Sequence, residues 1–346
     1  GDLTMKKILA IVLALIMVMS LIACGDKEAP TVEGPDVTQE ESFTLKLGHS
    51  TSNTGIFQAG AKKFKELVEA KSNGTITVEI YPNSTLGADM ELIQGLQLGN
   101  VDMCVTDTNN ITSFIPEIQV FNFPYIFRCR EHAYEVLDGE IGHNMLAMLD
   151  NVGIKGLAIW ENGFRNLTNS KRPVSSAADV AGLKIRVMDS PLYIDMWAAL
   201  GADPTPMAWS EVFTALQQRT IDGQENPIAQ IYANSVFEVN QYITLDRHVY
   251  APAVLLISQQ VFSKMSANQQ AAVLEAASEA GLYERDYNAK MESQWAEEMT
   301  AAGAQIVEDP DVASFQAAVA PVVEKYAKQL GVTDIVSEIQ KVGEKY

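Results

Sequence analysis

The stretch Gly182-Leu-Lys-Ile-Arg186-Val-Met-Asp-Ser190-Pro191, continuing to Asp222-Gly-Gln-Glu-Asn226-Pro-Ile228, decides how the rest of the chain is read. Leu183, Ile185 and Val187 alternate with Lys184 and Arg186, which is the period of a short strand. Ser190-Pro191 opens a helix: a capping residue is followed by a proline whose missing N–H is not needed in the first turn. Leu192, Met196 and Leu200 share one face of that helix, and Gly201 suits its end. The segment runs strand, helix, turn, strand, helix, strand end. Arg186 therefore falls near the carboxyl end of a strand, just ahead of a helix amino terminus, where ligands collect in open α/β sheets. A fixed cation beside free backbone N–H groups suits an anion. The competing reading is a surface residue paired with a nearby carboxylate, and Arg186 alone does not decide between them.

Working outward, 346 residues at 47% hydrophobic and 20% charged give a globular protein with about two domains. A formal charge of −19 and a pI near 4.6 argue against nucleic acid and against adsorption to anionic lipid. They do not exclude a small anionic ligand, because arginines in a closed cleft outweigh distant, screened carboxylates.

Met5-Lys6-Lys7 followed by an apolar run from Ile8 to Ile22 reads as an export signal, since that run is shorter than the roughly 20 residues of a membrane span. Its ending, Leu21-Ile22-Ala23-Cys24, resembles a bacterial lipobox, which implies cleavage after residue 23 and a lipid on the Cys24 thiol. Residues 24–42 are acidic, with Pro30, Gly34 and Pro35, and read as a solvated tether. Of the remaining cysteines, Cys104 lies in an apolar strand and Cys129 in a loop; a disulfide between them is not expected.

Further along, Phe43–Leu47 alternates as a first strand, and Asn53 or Thr54 can cap a helix to about Ala70. A second strand over Ile76–Ile80, a helix over 86–98 and a buried strand over Val101–Val105 follow, ending in the polar exit Thr106-Asp-Thr-Asn109-Asn110. The aromatic, proline-interrupted region 115–127 reads as a packed loop, 131–149 as one helix, and 154–160 as a strand. Gly163 lies in a turn over 161–166. After Asn226 come a helix to about Glu238, a strand near 242–245 and a separate return strand over 249–258. Residues 267–302 form a proline-free helical pattern about 50 Å long, longer than one small domain. A short strand over 304–307 and two helices close an α/β chain.

Catalytic signatures are missing. No G-x-S-x-G, P-loop or G-x-G-x-x-G occurs, and the four histidines lack metal-ligand spacing, so the chain reads as neither an enzyme nor a metal or cofactor carrier. What the sequence offers is polar groups at strand exits: His49 and Ser50, Thr108 to Asn110, Arg165, Arg186 and Asn226. Arginines hold carboxylates with paired N–H donors, while amides and hydroxyls suit ligand hydroxyls. Trp209 opens a helix, either as core packing or as a platform against a sugar or carbon chain.

Four segments, in order and spacing, resemble the solute-binding proteins of tripartite ATP-independent periplasmic (TRAP) transporters, the DctP-type receptors, over about residues 43–335. They are Trp160-Glu-Asn-Gly-Phe-Arg165 with Thr168-Asn169, Gly182-Leu-Lys-Ile-Arg186-Val, Pro204-Thr-Pro-Met-Ala-Trp-Ser-Glu-Val212 and Asp222-Gly-Gln-Glu-Asn-Pro227. The resemblance implies a two-lobe α/β fold of the periplasmic-binding-protein type II kind, with a cleft between lobes and a long helix spanning both. The first lobe is expected over 43–161 with about 252–285, the second over 162–251 with about 286–346. By position, Arg186 matches the arginine that pairs with the substrate carboxylate, and Arg165 a second arginine near it. Asn226 matches an asparagine at the same end. Trp209 takes an aromatic position, and Ser190 falls beside the site. His49, Ser50, Asn109 and Asn110 occupy the loops facing the rest of the substrate. Partners implied are a carboxylate ligand and the TRAP permease membrane subunits, with the membrane touched only through the lipid and the receptor acting as a monomer outside the cytoplasm. The polar exits resemble members that bind sugar acids, so a hexuronate or related six-carbon acid ranks first. A keto acid, a C4-dicarboxylate or a sensory role are the alternatives.

Overall fold

Described residues run from 40 to 346 in the computed structural model. The expected signal over 1–23, the lipidated Cys24 and all but the last residues of the tether over 24–42 lie outside the described residues. The alternating stretch Phe43–Gly48 (β1) pairs in parallel with Ile76–Tyr81 (β2). Between them Ile56–Lys71 (α1) buries Phe57, Ala61, Phe64 and Val68 on one stripe. The helix starts from Gly55 rather than from Asn53 or Thr54, because Ser52 and Thr54 hydrogen-bond each other ahead of the first turn.

Asp89–Leu98 (α2) ends at Gly99 in the left-handed region and leads to Met103–Asp107 (β3), buried along its length. Region 115–127 carries a 3₁₀ stretch, Pro116–Asn122, buried from Ile118 onward, inside the expected packed loop. The single helix expected over 131–149 is two, Arg130–Leu137 (α3) and Glu140–Met148 (α4). Gly139 breaks it: a Cβ there would meet the Glu135 carbonyl at 2.9 Å.

The largest departures from the sequence reading are in the strands. Ile154–Asn169 (β4) runs straight through the expected turn over 161–166. The chain then forms Lys184–Val187 (β5), Pro191–Ala199 (α5), Asp203–Pro206 (β6), Trp209–Gln217 (α6) and Gly223–Pro227 (β7), as the opening stretch predicts. Ile228–Ala233 (α7) stops short of Glu238, because Ser235 takes a left-handed φ of 54°. Tyr242–Ser258 (β8) fuses the two strands expected over 242–245 and 249–258. β4 and β8 pair antiparallel with register shifts at Gly156/Ala158, Glu161/Gly163 and Arg165/Leu167. Gly163, at φ 115°, sits in the middle shift. The glycine and polar residues that read as a chain reversal instead bend a continuing strand, as bulges do.

Gln259–Phe262 (α8) precedes the long helix Ala267–Ala301 (α9), which starts at a Ser266/Gln269 capping box. Gln305–Val307 (β9), Val312–Gln329 (α10) and Thr333–Gly343 (α11) complete the chain. Among the described residues nine strands form one mixed sheet in the order β2-β1-β3-β8-β4-β7-β5-β6, with β9 against β8. β1 to β3 lie on one side of the long β4–β8 pair and β5 to β7 on the other. α9 packs on α1, on β4 and on α7, so it spans both lobes of the α/β fold. Trp160 of β4 fills the space between the two helices: a Cβ on Gly60 of α1 would come within 2.6 Å of its indole, and one on Gly281 of α9 within 2.7 Å. Its Nε1 donates to the Ala277 carbonyl at 3.1 Å. Cys104 and Cys129 are both free thiols. No helix among the described residues is long and apolar enough to cross a membrane.

Candidate functional site

Strand exits meet at a cleft of about 490 Å³, a size usual for small-molecule sites. β1 brings Ser50 to its wall, β3 brings Asn109 and Asn110, and the start of α2 brings Asp89. From the other side come Arg165 of β4, Arg186 and Met188 at the end of β5, Trp209 at the start of α6, and Asn226 of β7. Seven of the nine sequence-selected ligand residues, Ser50, Asn109, Asn110, Arg165, Arg186, Trp209 and Asn226, thus line one cavity.

Arg186 is 3% exposed. Its Nε donates to the Met207 carbonyl at 2.9 Å, and its guanidinium carbon lies 5.7 Å from the Trp209 ring centre. It makes no ion pair among the described residues, so the surface-pair reading fails on geometry. Burial pulls its pKa down to about 10, with Arg165 adding to the effect and Glu225 and Asp89 opposing it. It remains a cation at neutral pH.

Arg165 is as deeply buried but is already compensated. Its Nε and Nη2 grip the two Glu225 carboxylate oxygens, Nη2 at 2.9 Å, and Nη1 lies 3.5 Å from Asp107 Oδ2. Glu225 Oε2 also pairs with His248 Nε2 at 3.0 Å, and His248 Nδ1 with Asp246 Oδ2 at 2.9 Å. Cation and anion alternate along this row. Burial opposes ionisation of Glu225, yet Arg165 and His248 outweigh it and hold its pKa near 2. Burial likewise opposes protonation of His248, but Asp246 and Glu225 raise it to about 9.

Around these charges the amides are ordered. Asn226 Nδ2 donates to Gln224 Oε1 at 2.6 Å, and its second proton has no acceptor among the described residues. Asp107 Oδ2 accepts from Asn162 Nδ2 at 3.0 Å, and Asn162 Oδ1 accepts from Gln230 Nε2 at 3.0 Å. The Asp89 carboxyl takes hydrogen bonds from Thr106 and Ser50; burial raises its pKa.

Two selected residues stand outside the cavity lining. His49 is fully buried, its Nε2 2.9 Å from Gln58 Oε1 and its Nδ1 3.2 Å from Thr51 Oγ1. Burial lowers its pKa, so it is a neutral packing residue in this arrangement. Ser190 makes no side-chain cap bond and instead accepts from Gln119 Nε2 at 3.2 Å. Both lie at the right strand exit with the side chain turned inward, while the adjacent Ser50 and Asp189 face the cavity. Sequence reading missed Asp89, Asp107, Met188, Glu225 and His248. Glu225 lies inside the Asp222–Pro227 segment singled out above, so its place was visible though its role was not.

Bacterial extracellular solute-binding protein family 7, the DctP type, matches residues 47–329. This chain belongs to that family. The 2,3-diketo-L-gulonate-binding periplasmic protein of Escherichia coli (strain K12) is 37% identical to this family 7 receptor over 272 residues, 79% of this chain and 83% of its own. The sugar acid binding protein of Advenella mimigardefordensis, in complex with galactonate, superposes with a TM-score of 0.85 at 31% identity, covering 88% of this chain and 99% of that one. A TRAP solute-binding protein of Pseudomonas putida F1 with bound D-glucuronate gives 0.82 at 31% identity, covering 86% and 96%. One of Sulfurospirillum deleyianum with bound succinate gives 0.82 at 33%, covering 87% and 99%. The receptor is thus a TRAP solute-binding protein in class and fold, a binding protein of an extracytoplasmic family.

Proposed function

We propose that this receptor captures a six-carbon sugar acid, a hexuronate or a close relative, by its carboxylate and delivers it to the membrane subunits of a TRAP permease. The observation that carries this reading is the state of Arg186: a buried cation on the cavity wall with no carboxylate partner among the described residues. A desolvated guanidinium without an anion is costly, and a ligand carboxylate supplies the missing charge. Arg165 stays paired with Glu225 and shapes the field, while the spare Asn226 amide proton serves the same carboxylate. Trp209 offers a flat face to the carbon chain, and Ser50, Asn109 and Asn110 meet the remote hydroxyls.

Capture proceeds by closing the lobe of 43–161 with about 252–285 on the lobe of 162–251 with about 286–346, the bulged middle of β4 and β8 serving as hinge. Closure excludes water and is stabilised only by contacts the ligand makes better in the closed state. A lipid on Cys24 would keep the receptor at the outer face of the cell membrane, close to its permease. A relative named for binding 2,3-diketo-L-gulonate, and neighbours with bound galactonate and D-glucuronate, support the sugar-acid class. A succinate-bound neighbour favours a C4-dicarboxylate as the second reading. Against it, Arg165 and Arg186 are the cations of the cavity lining, Arg165 is already paired, and Asp89, Asp107, Asp189 and Glu211 line the same cavity.

A thermal-shift panel of hexuronates, galactonate, 2,3-diketogulonate, succinate and pyruvate tests the reading, since a ligand specific to the native state raises the melting temperature. The largest rise is expected with the sugar acids. A rise confined to succinate would replace the sugar-acid assignment by the dicarboxylate one.

A further inference from the structure

The amides at the β3 exit have a fixed polarity. Asn109 Nδ2 donates to Met188 Sδ at 3.7 Å, and Asn110 Nδ2 donates to Thr106 Oγ1 at 2.9 Å. Thr106 gives its own proton to Asp89 Oδ1 at 2.9 Å, so its oxygen can only accept from Asn110. Turning either amide over would set a carbonyl oxygen against a sulfur, or against a hydroxyl whose proton is already committed. Both side chains therefore keep their carbonyl oxygens for another partner. Asn109 Oδ1 is shut off from solvent and meets no donor among the described residues. Buried acceptors left in this state are rare, and because Asn109 belongs to the cavity wall, a small shift of that wall as the ligand enters would let a ligand donor satisfy this one. Asp89 and Asp107 add further acceptors to the same wall.

We propose that Met188 and Thr106 are positioning residues that lock the Asn109 and Asn110 amides, so that the β3 wall accepts hydrogen bonds from ligand hydroxyls and turns away a second carboxylate or a keto oxygen. This rests on the sugar-acid reading above and sharpens its substrate class: one carboxylate, with hydroxyl donors along the carbons remote from it. Galactonate and glucuronate bring donors to that wall. Succinate brings only acceptors to a wall that already presents acceptors, the Asp89 and Asp107 carboxyls among them. Met188 comes from β5 and Asn109 from β3, so the lock also joins the two sides of the cleft.

Met188→Leu keeps the side-chain size and removes the sulfur acceptor, freeing the Asn109 amide to turn. Calorimetric titration with galactonate, glucuronate and succinate reads the outcome. The wild-type receptor is expected to prefer the two sugar acids, and Met188→Leu to lower the sugar-acid-to-succinate affinity ratio by about three- to tenfold, the worth of one hydrogen bond. In a second pair, Asn109→Asp, which carries acceptors in either orientation, keeps the preference, and Asn109→Leu loses it. An unchanged ratio in Met188→Leu overturns the lock. Should that variant not fold, an unchanged ratio in Asn109→Leu does so. Arg186→Ala, titrated alongside, reports on the carboxylate clamp alone: loss of all three acids there with an unmoved ratio in the amide variants keeps the receptor reading and removes this one.

Discussion

The Arg186 guanidinium lies over the Trp209 ring at 5.7 Å and donates to the Met207 carbonyl, with no carboxylate among the described residues joining them. A π face and a carbonyl orient the cation without neutralising it, which leaves its charge available in the cavity. Arg186→Ala removes that charge, and carboxylate ligands are expected to lose about 2–5 kcal/mol of binding free energy. Calorimetric titration at fixed salt measures it, and an unchanged dissociation constant would remove Arg186 from the site.

Trp209 acts on the ligand's carbon chain and on the arginine together. Trp209→Phe keeps a ring under Arg186, whereas Trp209→Ala keeps none. The alanine variant is expected to bind sugar acids weaker by about 0.5–2 kcal/mol more than the phenylalanine variant. Equal affinities in the two would show that the ring contributes only to packing.

The row Arg165–Glu225–His248–Asp246 makes stability depend on pH in a direction that can be worked out. His248 titrates near 9 in the fold against 6.5 in the free side chain, so its contribution is complete below 6.5 and is lost as pH rises through about 9. Glu225, near 2 against 4.5, contributes above 4.5 and loses that contribution only as pH falls towards 2. Melting temperatures between pH 6 and pH 10 are therefore expected to fall with rising pH. His248→Gln should flatten that slope, and a slope the variant reproduces in full would assign it to other groups.

Glu284 is shifted in the direction opposite to Glu225 and, like His248, it lowers stability as pH rises. It sits inside α9 with no exposure; Oε2 accepts the Glu161 N–H at 3.0 Å, and Oε1 has no partner among the described residues. Burial, then the nearby Glu161 carboxylate, raises its pKa well above 4.5. As pH passes 4.5 the unfolded chain releases this proton while the fold retains it, so stability declines. Glu284→Gln, uncharged at every pH, is expected to match the wild type in urea unfolding at pH 4 and to exceed it at pH 8. Equal stability at both values would show that the buried acid costs the fold nothing.

Elements fixed by local chemistry were legible in the sequence. The strand over 184–187, the Ser190-Pro191 helix start and the 35-residue helix all occur within a residue or two of the expected positions, because period, cap and proline act within one turn. The fused strands were not. Gly163 and its polar neighbours have turn composition, and only pairing with β8, more than 80 residues later, converts that turn into a bulge. Site membership followed the same division. Strand-exit reasoning brought Arg186, Asn109 and Asn226 to one cavity, since it fixes where the backbone goes. It erred at His49 and Ser190 because it does not fix which way a side chain turns, and a one-residue offset at a strand end exchanges inside for outside. The Glu225–His248 pair carries no local signal: the residues lie 23 apart and meet only across the sheet.

β4 and β8 belong to both sides of the cleft, each strand starting among one set of neighbours and finishing among the other. No linker exists there for a protease to cut or for an engineer to sever, and either half expressed alone would carry strands without partners. The receptor should therefore melt as a single cooperative unit, and the stabilisation a ligand gives at the cleft reaches strands far from it. A calorimetric scan would show one transition that moves as a whole when the cavity fills.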